Sequence, residues 1–220
     1  MLLKDIVSLL NEEARGAHVV SDERIDPRIW EAFIMLARNQ FIKNHYNEKQ
    51  YIELNTLQTE KLTLTPYDST YDIGGVSIGN YIMRTEELPK MIEGRSGPAI
   101  YEIHTADISS RTMQFVPFDR LRWCGNGTTN RNVLYAAWYD NRIYVKSNSE
   151  IEKGIKYINV VAIFADPTEV STFDEDTDDY PMNDYMIRYA KNLILTEDFK
   201  ITSSTKSDEK NDSSGLIEER

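Results

Sequence analysis

The spacing of apolar residues changes at residue 51, from a helical period to a period of two, and that change decides where the first helices must end and a sheet can begin. Before it, Leu3, Ile6, Val7 and Leu10 recur at helical spacing until Gly16 stops the run. A loop follows, and Asp26 and Pro27 then have the residue types that cap and open a helix. The stretch RIWEAFIMLARNQFIKNHYNEKQ predicts a helix of about six turns. After residue 51, YIELNTLQTEKLTLTPYD sets Leu57, Thr59, Lys61 and Thr63 against Gln58, Glu60, Leu62 and Leu64, and Pro66 closes the run. A period of two is the signature of a strand with one face buried.

Further strands are expected at GGVSIGNYIMR, AIYEIHTAD, RTMQFVPF, NVLYAAWYDNRIYVKS and IKYINVVAIFAD, with Asp140-Asn141 as the clearest hairpin turn. Short strands separated by Gly, Asn and Pro, with no helical segments between them, predict an antiparallel sandwich or barrel. Helix returns after the acidic run FDEDTDDYP. Pro181 can open it, and Met182, Met186, Tyr189, Ala190, Leu193 and Ile194 share one face. The expected class is therefore α+β. N-terminal helices over 1–50 and a C-terminal helix over 174–201 make a bundle, an antiparallel β-domain over 51–173 is inserted between them, and an extended arm occupies 202–220.

The long second helix carries two apolar stripes, Ile29, Phe33 and Leu36 on one and Trp30, Ile34, Ala37 and Phe41 on its neighbour. Well over half its circumference therefore needs cover. The second stripe packs either on its own domain or against another subunit, which makes Ile29, Trp30, Phe33, Ile34 and Phe41 the candidate subunit interface.

Few residue types that carry chemistry are present. Cys124 is the one cysteine, and His18, His45 and His104 are the three histidines, none at metal-ligand spacing with another on one element. A nucleophilic site would have to be built on Cys124, whose setting between Trp123 and Gly125 reads more simply as packing at a strand end. Asp174, Asp176 and Asp178 begin like a calcium loop, but Asp179 stands where Gly is required and Tyr185 where a bidentate Glu is required. Gly74, Gly75, Gly79, Gly125 and Gly127 fit neither a phosphate loop nor a dinucleotide fingerprint. No catalytic, cofactor-binding or metal-binding residue is expected.

Charge narrows the partners. The net charge is −11, and residues 174–220 hold 13 acidic against 6 basic residues, so −7 of it lies in the last fifth of the chain. That balance repels a phosphate backbone and argues against sequence-independent nucleic-acid binding, although Arg120, Arg122 and Arg131 cluster near Trp123. No run of 18 or more apolar residues occurs, and the N-terminal stretch with Lys4, Asp5, Glu12 and Glu13 does not read as a signal peptide. The tail TSSTKSDEKNDSSGLIEER has only Leu216 and Ile217 to bury. Ordering its backbone would cost about 1–2 kcal/mol per residue, so it needs a partner surface.

The segments DPRIWEAFIMLARNQFIKN, LNTLQTEKLTLTPYDS and DDYPMNDYMIRYAKNLILTEDFKITSSTKSDEKNDSSG together resemble the head-to-tail connector proteins of tailed phages. The likeness is greatest to the ring proteins of the short-tailed crAss-like phages that infect Bacteroides. The resemblance implies a non-enzymatic virion protein, made in the host cytoplasm and placed in the neck or tail. It implies a twelve-subunit ring with the portal protein above and the tail or a second ring protein below, through which DNA passes without sequence-specific binding. It also implies an arm, Thr202 to Arg220, that grips the portal from a base at Pro181–Phe199. Its candidate contacts are Lys206, Asp208, Asn211, Asp212, Leu216 and Ile217. The reading of a different class is a β-sandwich module that recognises a glycan or a surface through Trp123, Trp138 and Tyr139.

Overall fold

A computed structural model of the chain describes residues 1–17, 26–67, 82–107, 110–124, 133–146 and 154–193. Among the described residues it has three longer helices and a seven-stranded sheet.

Helix α1 spans Leu3–Ala17 and α2 spans Pro27–Asn47. The start of α2 follows its sequence signal, with the Asp26 side chain accepting from the Arg28 N–H at 3.0 Å and Pro27 in the first turn. The chain then makes a 3-10 turn at Leu54–Thr56 and enters β1, Gln58–Pro66. In β1 the alternation is realised. Glu60, Leu62 and Leu64 are buried, while Thr59, Lys61, Thr63 and Thr65 are exposed.

The remaining strands are β2 Ile82–Thr85, β3 Glu93–Gly94, β4 Gly97–Pro98, β5 Ile100–Thr105, β6 Gln114–Phe115, β7 Tyr135–Tyr139, β8 Arg142–Lys146 and β9 Tyr157–Ala162. β3 and β4 form a small separate hairpin, and the others order as β5-β9-β1-β2-β8-β7-β6. At the two ends of that order the sheet nearly meets itself. A bridge joins His104 to Thr112, the Met113 N–H donates to the Ile103 carbonyl at 2.8 Å, and the Thr105 N–H donates to the Arg111 carbonyl at 3.0 Å. The result is a nearly closed barrel filled by Leu62, Leu64, Ile103, Ala136, Ile143, Val145, Ile158 and Val160.

Three details depart from the sequence reading. The pairing of β6 with β7 is parallel, within a sheet expected to be antiparallel throughout. The strand predicted over RTMQFVPF is two residues long and gives way to a short helix α3, Phe118–Leu121. That helix covers the outer side of β7 and β8, where Tyr135, Ala137 and Tyr144 are buried with Leu121. The last helix, α4, spans Asp184–Leu193 rather than opening at Pro181. Asn183 supplies the cap through its Oδ1, which accepts from the Met186 N–H at 2.8 Å.

Helices α1, α2 and α4 share one apolar core. Leu3, Ile6 and Leu10, then Trp30, Ile34 and Ile42, then Met186 and Ala190 meet there with Ile92, Ala99 and Ile163 from the sheet side. The connection after β9 includes a 3-10 turn at Pro167–Glu169 and returns past β1, where the Ser171 N–H donates to the buried Glu60 Oε2 at 2.8 Å.

Candidate interaction surfaces

The two stripes of α2 have different fates. Trp30 and Ile34 are 1% and 0% exposed, held in the chain's own core, and so are not free to meet another subunit while this fold persists. The cover comes from α1 and α4 together, with Ile92, Ala99 and Ile163 from the sheet side. Phe41 is half-buried, stacked on His45 with ring centroids 3.9 Å apart and tilted against Tyr189 at 5.2 Å. Phe33 is half-buried, whereas Ile29 is 47% and Leu36 59% exposed. Beside this stripe runs a groove of about 780 Å³ whose described lining includes Phe33, Leu36, Met91, Ile92 and Leu193.

Arg38 is fully buried on the same helix, and nothing in the sequence reading singled it out. The usable signal is its register. Ile34, Arg38 and Ile42 fall four residues apart on the inward face, so a guanidinium there must be enclosed. Its Nε donates to the Pro181 carbonyl at 2.9 Å and its Nη1 to the Phe164 carbonyl at 2.9 Å, and Asn39 Nδ2 donates to the Ala165 carbonyl at 2.8 Å. Burial lowers the Arg38 pKa to about 10, which leaves it charged at neutral pH, and raises the nearby Tyr180 to about 12. The arrangement ties α2 to the end of β9 and to the entry of α4, a structural role.

The acidic run is folded on itself and on the N-terminus. Asp174 Oδ1 accepts from the Asp176 N–H at 3.0 Å and Asp178 Oδ2 from the Asp174 N–H at 2.9 Å. The Met1 amino group pairs with Asp179, and Lys4 lies 3.7 Å from Asp176. The run therefore serves the start of α1 as well as the approach to α4. Among the described residues no group of three His, Cys, Asp or Glu side chains could hold a metal ion.

On the barrel, Trp123 is 69% exposed with the Arg122 guanidinium 4.9 Å from its ring. The three aromatics suggested for a recognition platform do not meet on one face. Trp138 packs toward the barrel interior, while Tyr139, next in the strand, turns outward and stacks on Phe118 at 4.5 Å. Cys124 is half-buried, its Sγ donating to the Arg120 carbonyl at 3.3 Å. His104 accepts from the Asn159 side-chain amide at 3.3 Å, and His45 donates to the Phe41 carbonyl at 3.0 Å. These groups lie apart and assemble no nucleophile and base pair. His18, Arg131 and the arm contacts Lys206, Asp208, Asn211, Asp212, Leu216 and Ile217 lie outside the described residues. No described helix is long and apolar enough to cross a membrane.

What the described surface offers is exposed apolar side chains, Ile29 and Leu36 on α2 and Trp123 on the barrel. Residues 5–219 match the family model of phage tail ring protein 2. The chain belongs to that family, and is a ring protein of the crAss-like phages. No curated protein sequence matches it.

Proposed function

We propose that the protein forms a ring that adapts the capsid portal to the tail and extends the channel through which DNA leaves. The observation that carries this reading is the family match over nearly the whole chain, which makes the protein a structural part of a phage tail. In this reading the helices over 1–50 and 174–201 are the bundle, the barrel over 51–173 projects from it, and residues 202–220 are the arm that holds the portal. Twelve copies repeat one heterologous contact until the rotation closes, so each needs two different faces. The exposed Ile29, the half-buried Phe33 one turn on and the half-buried Phe41 further along α2 are the residues assigned to the neighbour. A net charge of −11 suits a channel wall that does not hold phosphate.

The test is the mass of the purified protein measured with and without portal rings. Ring formation on the portal is the expected result, with monomer in isolation allowed, and a chain that stays monomeric and never joins the portal overturns the reading. Deleting residues 202–220 separates the arm from the rest. The truncated protein is expected to stay folded and soluble and to lose its place on the portal, whereas unchanged joining would put the grip elsewhere.

A further inference from the structure

We propose that β1 offers a free strand edge, in the cleft between β1 and residues 86–90, to an extended segment of a partner protein that carries arginine or lysine. The site is on the barrel, involves no residue of α2, and does not depend on the ring reading.

Strand β1 changes neighbours partway along its length. Residues Gln58 to Thr63 pair with β9, whereas only Leu64 to Pro66 pair with β2. An antiparallel ladder bonds alternate residues to alternate sides. The Leu64 N–H donates to the Lys156 carbonyl on the β9 side at 2.8 Å, and the Tyr67 N–H donates to the Ile82 carbonyl on the β2 side at 2.8 Å. Thr59, Lys61 and Thr63 therefore turn their backbone groups away from β9, toward residues 86–90. No strand meets them there. The Thr63 N–H is taken by the Glu86 side chain, with Oε1 at 3.2 Å, and the Thr59 carbonyl accepts from the Thr172 hydroxyl at 2.6 Å. The Leu88 N–H leaves for the Asn141 carbonyl at 2.8 Å. Between these, the Lys61 N–H and C=O have no hydrogen-bond partner among the described residues.

The cleft where the two chains part has a volume of about 680 Å³. The stretch from Thr59 to Thr63 covers about 13 Å at about 3.3 Å per residue, enough for four or five residues of extended chain. An added strand completes such an edge through main-chain bonds, and the side chains around it select the sequence. Here the selection is by charge. Glu60, Glu86, Glu87 and Glu169 line the cleft against Lys61 and Lys90. The Lys61 ammonium lies 4.8 Å from the centroid of the Tyr157 ring of β9, and Glu87 is 3.7 Å from Arg142. Glu169 has no ion-pair partner among the described residues. A second copy of this chain, at a net charge of −11, is the less suited occupant.

The isolated full-length protein and a synthetic peptide, acetyl-Thr-Arg-Val-Arg-Thr-amide, provide the test. Amide exchange followed by NMR reads the edge itself. In the free protein the Lys61 amide is expected to exchange fast, and saturating peptide should slow it about tenfold while leaving the Leu62 amide, already bonded to β9, unchanged. An Lys61 amide that stays unprotected overturns the proposal. So does one already protected in the free protein in step with dimer formation, since a second copy would then fill the edge.

Fluorescence anisotropy of the labelled peptide separates strand addition from adsorption to an acidic surface. Replacing both arginines by glutamate, or N-methylating the three central residues, is expected to weaken binding at least tenfold. The protein variant with Glu86→Gln and Glu169→Gln keeps the Thr63 contact possible and should bind about fivefold more weakly. Absence of saturable binding, equal binding of the N-methylated peptide, or no effect of the two substitutions each count against the site.

Discussion

Arg38 Nη1 donates to the carbonyl of Phe164 at 2.9 Å across 126 positions of sequence, and this bond joins the helical layer to the barrel. The same side chain donates from Nε to Pro181, the residue that brings the chain into α4. Replacing it by Met keeps the volume and removes both donors, offset in part by the loss of a buried charge. We expect Arg38→Met to lower stability by about 2–4 kcal/mol. Arg38→Lys should recover less than half of that loss, since an ammonium lacks the planar fork that reaches two carbonyls. Urea unfolding measures both, and an Arg38→Met protein as stable as the parent would show that the tie between layers lies elsewhere.

Tyr180 makes a prediction about alkaline pH. Burial raises its pKa to about 12, against the pull of the Arg38 charge. Between about pH 10 and pH 12 the unfolded chain gives up this proton while the folded chain keeps it, so stability falls as pH rises through that window. Tyr180→Phe removes the component. Its unfolding free energy should decline less steeply over the window than the parent's, and parallel curves for the two proteins would contradict the assignment.

Gly94 in β3 lies against Tyr46 of α2. A Cβ there would run into the Tyr46 ring and approach Asn47 Oδ1 at 2.8 Å. Asn47 Oδ1 also accepts from the Arg95 N–H at 2.8 Å, so the neighbouring chain has little room to move. Gly94→Ala should destabilise by about 1–3 kcal/mol. Thermal unfolding of Gly94→Ala beside Gly94→Ala with Tyr46→Ala separates the clash from the backbone, because the second change should relieve most of the overlap.

The hairpin between β7 and β8 turns through Asp140 and Asn141, with φ of 49° and 54°. Both are left-handed positions of the kind that suits Asn, Asp and Gly and penalises branched side chains. Asn141→Val is expected to cost about 1–2 kcal/mol, and Asn141→Gly to be neutral or slightly stabilising. Chemical denaturation of the two variants reads the difference directly.

Much of this architecture was written in local chemistry. The Asp26–Pro27 start of α2, the alternation through β1 and the Asp140-Asn141 turn depend on residues within a few positions of one another. Each could be read before any contact was known. The α4 start misled because Pro181 has the residue type that opens a helix, yet its carbonyl is engaged by Arg38 and the cap falls to Asn183. The parallel β6–β7 pair left no trace in the residues themselves, since a two-residue strand has no period to detect.

Residue order alone, through a period of about 3.6 giving way to a period of two, assigned helix to the ends and sheet to the middle of this chain. It also made a second apolar stripe on α2 that demanded cover. It did not say what the cover would be. That Trp30 and Ile34 turn to α1 and α4, that Arg38 is enclosed with two distant carbonyls, and that Ile29 and Leu36 stay outside follow from segments well separated in sequence, α2 and α4 by more than a hundred residues, coming to one place. Hydrophobic attraction carries no information about partners. Which apolar faces are satisfied within the chain, and which are left for another, is settled by the geometry that closes the barrel and packs the helices upon it.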